Sequence, residues 1–352
     1  MKCDADRNAS VMRKSVPASG NEATEKIHPL ISIAMCTYNG EAYLSDQLAS
    51  ILSQTQQPDE LVVCDDASTD NTPQVLDQFT KEASFPVRVY RNEQRLGSTK
   101  NFEKAVSLCS GDFIFLSDQD DVWIPEKVDK LRQALMNNPG AGYVFSDALL
   151  VDEMLRPMGY TMWQSIKFAP RQRRQFKQNK QLALLLKHNV VTGATMAFRA
   201  TLKSIVLPIS DESIHDQWIA LLASSLGMYG VLVEEPLICY RQHPQQLLGG
   251  RKVDFGEQAK HLWRTRGEVF ESRLHQEEVR YSKALDRLTL TGQLEKDVRQ
   301  LFDAKIQHFR ARQSIHAHPH YARFFAVSKE FLTLRYNRFS LGWKSAARDL
   351  LL

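Results

Sequence analysis

The chain has 352 residues, of which 43% are hydrophobic and 24% are charged. This composition is typical of a soluble globular protein, and the length is sufficient for one large α/β core with an appended segment or for two modest domains. No stretch of about 18 apolar residues occurs, so the sequence predicts no membrane-spanning helix. The five cysteines form no CxxC pair, which indicates reduced packing residues and a cytosolic protein.

Charge is unevenly distributed along the chain, although the formal net charge is only +4 at pH 7. Residues 1–29 are polar and charged without an apolar stretch, which predicts a disordered leader and no ordinary signal peptide. Basic residues concentrate at 171–180 and again after residue 249. Such patches face lipid head groups, a phosphorylated substrate or nucleic acid, or they form solvated helix faces.

Strand-like and helix-like segments alternate between residues 30 and 135. Runs rich in β-formers at 31–36, 60–64, 87–90 and 112–116 are followed by helical stretches at 42–53, 72–82, 99–109 and 125–135. This alternation predicts a parallel sheet with helices on both faces. Ligands of such sheets gather beyond the C-terminal ends of the strands, and a polar loop follows each of the four strands there.

The pattern becomes less regular after residue 135. It predicts strands at 143–146, 195–199, 229–233 and 237–241 and a helix at 214–225, which we expect to extend the same sheet. From about residue 255 the sequence changes to charged amphipathic helices, for example at 269–290 and 294–314. We therefore expect a leader at 1–29, a domain at 30–250 with halves at 30–135 and 136–250, and a helical extension at 251–352.

The loop after the fourth strand holds three carboxylates, Asp118, Asp120 and Asp121. Like charges this close are unfavourable unless a cation or a proton neutralises them, and an oxygen-only site suits Mg²⁺ or Mn²⁺. Asp118 and Asp120 can reach one cation while Gln119 points elsewhere. The alternative is a solvated turn that caps the helix beginning near Pro125. The convergence of the other loops favours the metal site.

The loop after the second strand is also acidic. Asp65 and Asp66 directly follow the strand, where a carboxylate can accept the imide N–H of a pyrimidine base. Asp70 is a good cap for the following helix. A calcium-binding loop is a weak alternative, because the sixth position is not glycine and Asp77 stands where a bidentate glutamate is needed.

The first strand ends in a polar turn, where Tyr38 can stack on a base and backbone N–H groups at the helix start favour an anion. Asn39 and Gly40 alternatively only form the turn. Neither GxGxxG nor GxxxxGK[ST] occurs, which argues against dinucleotide-dependent dehydrogenases and P-loop proteins.

An acid at the start of the apolar helix near residue 215 is the candidate base. Asp216 can be a simple cap, but beside Trp218 it can also be held rigidly and partly desolvated, as a base that deprotonates a hydroxyl. Arg241 and His243 follow a short strand and offer donors for a leaving diphosphate. A lone histidine such as His243 is as readily structural.

Five ordered motifs together resemble those of the family 2 glycosyltransferases. They lie at residues 33–40, 65–70, 92 with 96–97, 117–121 and 215–218, and the resemblance runs from about residue 31 to residue 249. Within this family, residues 118–121, 192–196 and 240–243 most resemble bacterial rhamnosyltransferase-like members that build O-antigen and capsule polysaccharide.

The resemblance implies a GT-A fold, that is, a mainly parallel sheet flanked by helices, together with a dTDP- or UDP-sugar donor, Mg²⁺ or Mn²⁺, and inversion at the anomeric carbon. Residues 30–135 would form the nucleotide-sugar half and residues 136–250 the acceptor half. Asp216 would be the catalytic base, and Asp118 and Asp120 would bind the metal. The residues expected to bind the donor are Thr37, Tyr38, Asn39, Glu41, Asp65, Asp66, Asn92, Gly97, Lys100, Asp118, Arg241 and His243. The residues expected on the acceptor side are Trp123, Gly193, His215, Gln217 and Trp218.

Two departures from the family pattern refine this expectation. Lys100 and Asn101 stand where many members have an Arg-Asn pair, which affects the donor contacts, and the GlnXXArgTrp motif of processive members is absent. We therefore expect transfer of one sugar, with rhamnose favoured, to a lipid-linked or oligosaccharide acceptor. The chain would work in the cytoplasm, with peripheral contact to the inner face of the cell membrane and no nucleic-acid partner.

Two other classes remain as alternatives. A nucleotidyltransferase also uses acidic metal ligands, but the sequence has no glycine-rich basic loop near its N-terminus. A non-catalytic scaffold that only binds a sugar nucleotide is the second alternative, and the presence of Asp118, Asp120 and Asp216 weighs against it.

Overall fold

The computed structural model describes residues 28–178, 180–246 and 268–351. The strands are β1 (Ile31–Thr37), β2 (Glu60–Asp65), β3 (Val87–Arg91), β4 (Phe113–Ser117), β5 (Val122–Trp123), β6 (Ala141–Val151), β7 (Pro157–Thr161), β8 (Met196–Arg199) and β9 (Tyr229–Arg241). The helices are α1 (Leu44–Leu52), α2 (Thr72–Glu82), α3 (Ser98–Leu108), α4 (Lys127–Met136), α5 (Met162–Ser165), α6 (Pro170–Lys177), α7 (Gln181–Leu185), α8 (Lys203–Val206), α9 (His215–Ser225), α10 (Glu268–Leu290), α11 (Lys296–Ala317), α12 (His320–Leu332), α13 (Arg335–Phe339) and α14 (Trp343–Leu351).

All of these strands belong to one mixed sheet with the order β3-β2-β1-β4-β8-β6-β9-β5, and β7 pairs with β6. Strands β1 to β4 are mutually parallel, which confirms the parallel sheet expected from the alternation. Strand β8 lies antiparallel between β4 and β6, so the second half continues the same sheet as expected. The C-terminal ends of the first four strands therefore lie along one edge.

Two strands expected at 229–233 and 237–241 are one continuous strand, β9. It pairs with β6 on both sides of Glu234 and Glu235, and the register shifts where Ser146 pairs with Val233 and Asp147 pairs with Pro236. A bulge absorbs the extra residues, so no turn forms. The short elements β5, β7 and α5 to α8 lack a long periodic pattern and were not anticipated.

The two faces of the sheet bury separate apolar cores, because side chains alternate along each strand. Ile33 and Met35 of β1 pack with residues of α1, α2 and α4 on one face. Ala34 packs on the other face with residues of α3 and α9 and with Tyr281 and Phe302 of the C-terminal helices. The two cores fix the sheet between helical layers.

The C-terminal helices join the second core directly. The guanidinium of Arg287 on α10 donates to the carbonyl oxygens of Ser204 at 2.6 Å and Ile205 at 2.7 Å, and also to that of Leu207. The leader at 1–27 and the segment 251–267, which belong to the expected first and last regions, lie outside the described residues. No helix within the described ranges combines the length and the apolar character that crossing a bilayer requires.

A buried ion pair ties α14 to α11. Arg312 donates to Asp349 at 2.7 and 2.9 Å, and Tyr336 donates its hydroxyl to the same carboxylate at 2.5 Å. Burial works to raise the pKa of Asp349, but hydrogen bonds from Arg312 and His316 and the charge of Arg312 outweigh it and lower the pKa to about 2. The carboxylate is therefore charged in the folded state at neutral pH.

Replacement of Asp349 by asparagine should lower the free energy of unfolding at pH 7 by about 3 kcal/mol, because the variant leaves the buried Arg312 charge without its counterion. Because folding lowers this pKa, the stabilisation is fully present above the unfolded-state pKa of about 4 and is lost as the pH falls towards 2. Urea unfolding at several pH values should show the difference from the wild type shrinking below pH 4. Asp303→Asn, at an exposed position of α11, is the matched control and should change stability by less than about 0.5 kcal/mol.

Candidate active site

A cleft of about 1350 Å³ opens at the edge where the first four strands end. The loops after β1, β2, β3 and β4 contribute lining residues, and the 3₁₀ turn Gly193–Thr195 and the start of α9 form the opposite wall. The sites predicted from the sequence that line it are Thr37, Tyr38, Asn39, Glu41, Asp66, Asp118, Asp120, Gly193, His215, Asp216 and His243. The convergence of four loops at one edge therefore agrees with the sequence pattern.

The acidic loop is held from below by Arg241, which is buried. Its guanidinium donates to the carbonyl oxygens of Asp120 at 2.9 Å and Glu153 at 2.6 Å and pairs with the carboxylate of Asp46 at 2.7 Å. Its backbone N–H donates to Asp121 at 3.1 Å. Arg241 was expected to contact the donor diphosphate; the structure directs it to the protein instead, because its side-chain donors have partners in the chain.

Asp118 and Asp120 both face the cleft. Burial, with the nearby charges of Asp120 and Asp216, raises the pKa of Asp118 to about 7. Asp120 contacts Nε2 of His243 at 2.9 Å, and Nδ1 of His243 is buried and has no hydrogen-bond partner among the described residues. These carboxylates repel each other and offer oxygen ligands, so they fit a hard divalent cation.

The protein's contribution to such a metal site is incomplete. In the part of the chain that the structure describes, no group of three or more His, Cys, Asp or Glu side chains is arranged to hold a metal ion. Mg²⁺ and its relatives commonly take only one or two carboxylates and complete their shell with water and substrate phosphates. Two carboxylates, Asp118 and Asp120, are consistent with that mode of binding.

The lining of the cleft includes one residue, Arg95, that the sequence reasoning missed. The guanidinium of Arg95 lies 3.9 Å from the ring centroid of Tyr38. The amide of Gln119 accepts from the backbone N–H of Tyr38 at 2.8 Å and donates to its carbonyl at 3.0 Å. A Cβ on Gly40 would come within 2.3 Å of the Gln119 amide, so a larger residue at this position would displace the amide. Gln119 does point away from the metal pair, as expected.

The two acids of the loop after β2, Asp65 and Asp66, lie in different surroundings. Asp65 is buried and accepts from the hydroxyls of Thr37 at 2.9 Å and Ser68 at 2.5 Å, and it does not line the cleft. Asp66 lines the cleft, but its oxygens accept from Asn92 at 2.9 Å and from the backbone N–H of Gly97 at 2.8 Å. Asp65, Asn92 and Gly97 therefore shape the loops and are not part of the cleft lining, and their contact with the donor stays a prediction.

Lys100 also points away from the cleft. Its ammonium contacts the carbonyl oxygen of Ile209 at 2.7 Å and the carboxylates of Glu103 at 2.9 Å and Asp211 at 3.1 Å. These partners occupy it on the outer side of α3. The neighbouring Asn101 is the member of this pair that lines the cleft.

Three residues expected on the acceptor side lie in the core. Trp218 is buried and donates its ring N–H to the carbonyl of Val206 at 2.7 Å, and Trp123 is buried beneath the ammonium of Lys127, 3.4 Å from its ring centroid. Gln217 accepts from Arg280 at 3.2 Å. None of the three lines the cleft, because the two tryptophans are buried in the core and Gln217 is turned towards α10.

Asp216 is fixed at the start of α9 with its carboxylate in the cleft wall. It accepts from the backbone N–H groups of Gly193 at 2.8 Å and Gln217 at 2.5 Å, and the amide of Asn189 lies at 3.4 Å. Burial raises its pKa to about 6, although these hydrogen bonds oppose the rise. The group is therefore mostly ionised at neutral pH and poised to accept a proton.

His215 forms a neutral polar surface beside this carboxylate. Its ring stacks on Phe102 with 4.0 Å between centroids, and neither ring nitrogen has a partner among the described residues. Burial lowers its pKa to about 3. A neutral imidazole that lines the cleft can donate to, or accept from, a hydroxyl group.

Comparison with known proteins agrees with this geometry. Residues 32–205 match the family model described as Glycosyl transferase family 2. The segment at residues 32–205 belongs to this family, and the architecture is the GT-A fold that the sequence motifs implied.

Among curated relatives, "UDP-Glc:alpha-D-GlcNAc-diphosphoundecaprenol beta-1,3-glucosyltransferase WfgD" of Escherichia coli is 36% identical over 110 residues, which are 31% of this chain and 42% of WfgD. "dTDP-rhamnosyl transferase RfbG" of Shigella flexneri is 26% identical over 242 residues, 65% of this chain and 78% of RfbG. The matching segments span less than half the length of WfgD and of another curated relative.

A solved structure with a similar fold is the mannosyltransferase PcManGT of Pyrobaculum calidifontis, in complex with GDP-Man and Mn²⁺. It superposes with a TM-score of 0.51 at 17% identity and covers 92% of this chain and 78% of its own. At this identity the similarity supports the fold alone.

Replacement of Gln119 by leucine should lower the free energy of unfolding by about 1–3 kcal/mol, because the N–H and carbonyl of Tyr38 would lose their partners in a part-buried position. Thermal and urea unfolding measure the change. The control is Gln78→Leu on the exposed surface of α2, for which we expect a change within about 0.5 kcal/mol. Equal stabilities of the two variants would mean that the amide does not support the loop.

Proposed function

We propose that the chain is an inverting glycosyltransferase that moves one sugar from a nucleotide-diphosphate sugar to a hydroxyl of an acceptor. The observation that carries the proposal is the single cleft that contains both the acidic pair Asp118 and Asp120 and, on the opposite wall, the buried base candidate Asp216. An enzyme that inverts an anomeric centre needs a base on the side opposite the leaving group.

The donor would lie against the loops that follow β1 to β4. Tyr38 and Arg95 offer a flat and cationic surface for the nucleoside end. Asp118 and Asp120 would hold Mg²⁺ or Mn²⁺, which would supply positive charge to the departing diphosphate. His243, beside Asp120, offers a further donor at that end of the cleft.

The acceptor hydroxyl would meet Asp216 on the opposite wall. The carboxylate takes the hydroxyl proton as the oxygen attacks the anomeric carbon, and the bond to the diphosphate oxygen breaks. Hydrogen bonds from Gly193 and Gln217 hold the carboxylate still. The neutral ring of His215 offers a hydrogen bond to a sugar hydroxyl.

Rhamnose is our favoured donor sugar, supported by the motif resemblance and by the similarity to the dTDP-rhamnosyl transferase RfbG. We favour a lipid-linked or oligosaccharide acceptor of O-antigen, capsule or another cell-surface polysaccharide. The similarity to WfgD, whose name includes a diphosphoundecaprenol acceptor, supports this choice. Such an acceptor would bring the chain to the cytoplasmic face of the cell membrane.

A donor panel tests the proposed reaction. We expect slow release of nucleotide diphosphate from one sugar nucleotide, with dTDP-rhamnose first and UDP-sugars and GDP-mannose as the other members, only when Mg²⁺ or Mn²⁺ is present. Asp120→Ala should abolish the release, because it removes one of two carboxylates that neutralise the cation. Asp77→Ala, on the exposed side of α2, is the control and should leave the rate unchanged. Failure to bind any member of the panel would contradict the proposal.

Replacement of Asp216 by asparagine should lower turnover by roughly 10²–10⁴ while donor affinity stays nearly constant. In the wild type, kcat/KM should fall about tenfold per pH unit below pH 6, because protonation of Asp216 removes the base; the variant's residual rate should lack this limb. Donor affinity by calorimetry and pH–rate profiles give the measurements.

Asp211→Asn is the matched control for this variant, since Asp211 is exposed and precedes the same helix. It should keep the wild-type rate and pH limb. Donor affinity that falls as much as turnover in Asp216→Asn would reassign Asp216 to donor binding. Donor binding without transfer or hydrolysis in the wild type, with every acceptor tried, would favour the non-catalytic scaffold.

A further inference from the structure

The last three helices expose an unusual amount of apolar surface. We call it the C-terminal apolar face, and it comprises Tyr321, Phe324, Phe325, Leu332, Leu334, Leu341, Trp343 and Leu351. These residues are half of the large hydrophobic side chains that are exposed in the part of the chain that the structure describes. Contiguous surfaces of this kind on a folded protein mark interaction sites.

The exposed residues of α12 lie on one side of that helix. The separations along the chain are three residues from Tyr321 to Phe324, one to Phe325 and seven to Leu332. With 3.6 residues per helical turn, these separations keep the four side chains within one arc of the helix surface. Phe324 is 61% exposed and Phe325 75% exposed, and their rings meet edge to face with 5.8 Å between centroids.

An apolar groove continues this surface between α12 and α14. It has a volume of about 430 Å³ and is lined by Val327, Phe331 and Leu332 from one helix and by Trp343 and other residues of α14 from the other. Leu332 and Trp343 belong both to the groove and to the C-terminal apolar face, so the two features form one surface. Trp343 is 68% exposed at its rim.

The exposed charges of residues 321–351 have one sign. Residues 321–351 contain two acids, Glu330 and Asp349, and both are buried. Each carboxylate has a partner within the protein, because Glu330 contacts His308 at 2.6 Å and Asp349 contacts Arg312. The exposed charged residues of this segment are all basic, namely Lys329, Arg338 and Lys344.

We propose that the C-terminal apolar face docks on an anionic lipid surface. Aromatic and leucine side chains flanked by lysine and arginine, with no exposed acid between them, are the composition that binds the boundary between head groups and acyl chains. A second copy of the chain is a poorer occupant, because it would bring like charges together. The proposal does not depend on the identity of the sugar or on the reaction.

The sequence suggested membrane contact through the basic run at 171–180 and through the basic C-terminal helices, and this surface belongs to the second of these. Within that run, Arg173 and Lys177 both pair with Glu234, at 3.4 and 2.5 Å. Part of its charge is therefore neutralised by the protein itself, and no large exposed hydrophobic side chain belongs to it among the described residues. The lipid contact belongs to the C-terminal apolar face.

Co-sedimentation of the full chain with vesicles tests the proposal. The wild type should bind vesicles that mix phosphatidylglycerol with phosphatidylcholine and bind pure phosphatidylcholine far more weakly. A variant with Phe324→Glu, Phe325→Glu and Trp343→Glu should lose more than about tenfold in partition coefficient. The matched control introduces three glutamates at exposed apolar positions outside this face, as Met136→Glu, Met154→Glu and Met158→Glu. It carries the same change in net charge and should bind like the wild type.

A second variant, Lys329→Gln with Lys344→Gln, tests the electrostatic part with little risk to folding. It should bind mixed vesicles about tenfold more weakly and lose most of the salt dependence, with no change on neutral vesicles. Circular dichroism and donor hydrolysis verify that each variant is folded.

Three outcomes would overturn the proposal. The first is a wild type that does not sediment with anionic vesicles. The second is glutamate variants that bind as tightly as the wild type. The third is a change in oligomeric mass in the triple variant with vesicle binding unaltered, which would make the face an interface between copies of the chain.

Discussion

The geometry of the cleft depends on the buried guanidinium of Arg241, which connects β9 to the acidic loop after β4 and to α1. Burying a cation is costly unless its donors are satisfied, and here the acceptors include the carbonyl of Asp120 and the carboxylate of Asp46. The backbone of the same residue donates to Asp121. Arg241 therefore fixes the backbone of this short acidic loop from beneath, and the loop keeps Asp118 and Asp120 at the surface of the cleft.

Much of the first half of the fold could be predicted from the sequence, because its elements are long and periodic and their polar loops fall where a parallel sheet requires. The pairing of β1 with β2 and β4 follows from that pattern. Strand β9 was misjudged because Glu234, Glu235 and Pro236 resemble a turn, whereas a bulge against β6 keeps them extended. The neighbourhood of α5 to α8 has segments too short to show a period.

The site was predictable at the level of loops and less so at the level of side chains. Neighbouring residues at a strand end face opposite ways, so the sequence could not decide that Asp66 reaches the cleft while Asp65 turns into its own loop. Lys100 and Asn101 are also neighbours that point in different directions, because successive residues of a helix such as α3 lie on different sides of it. Arg95 had no motif to announce it, and its role depends on the ring of Tyr38, which only the folded chain brings within 3.9 Å.

The packing of α10 has a consequence for how this family member can vary. Arg280 of that helix donates to Gln217, the residue after the proposed base, and to the carbonyl of Glu212 in the preceding loop. Tyr281 and Phe302 share one core with the sheet. The helical extension is thus not an interchangeable module. Recombination that joined residues 30–250 to a foreign tail would remove part of the core, and it would remove the Arg280 hydrogen bonds that hold the segment around the proposed base. Packing against the domain therefore limits which substitutions the C-terminal helices tolerate, whatever external surface these helices contact.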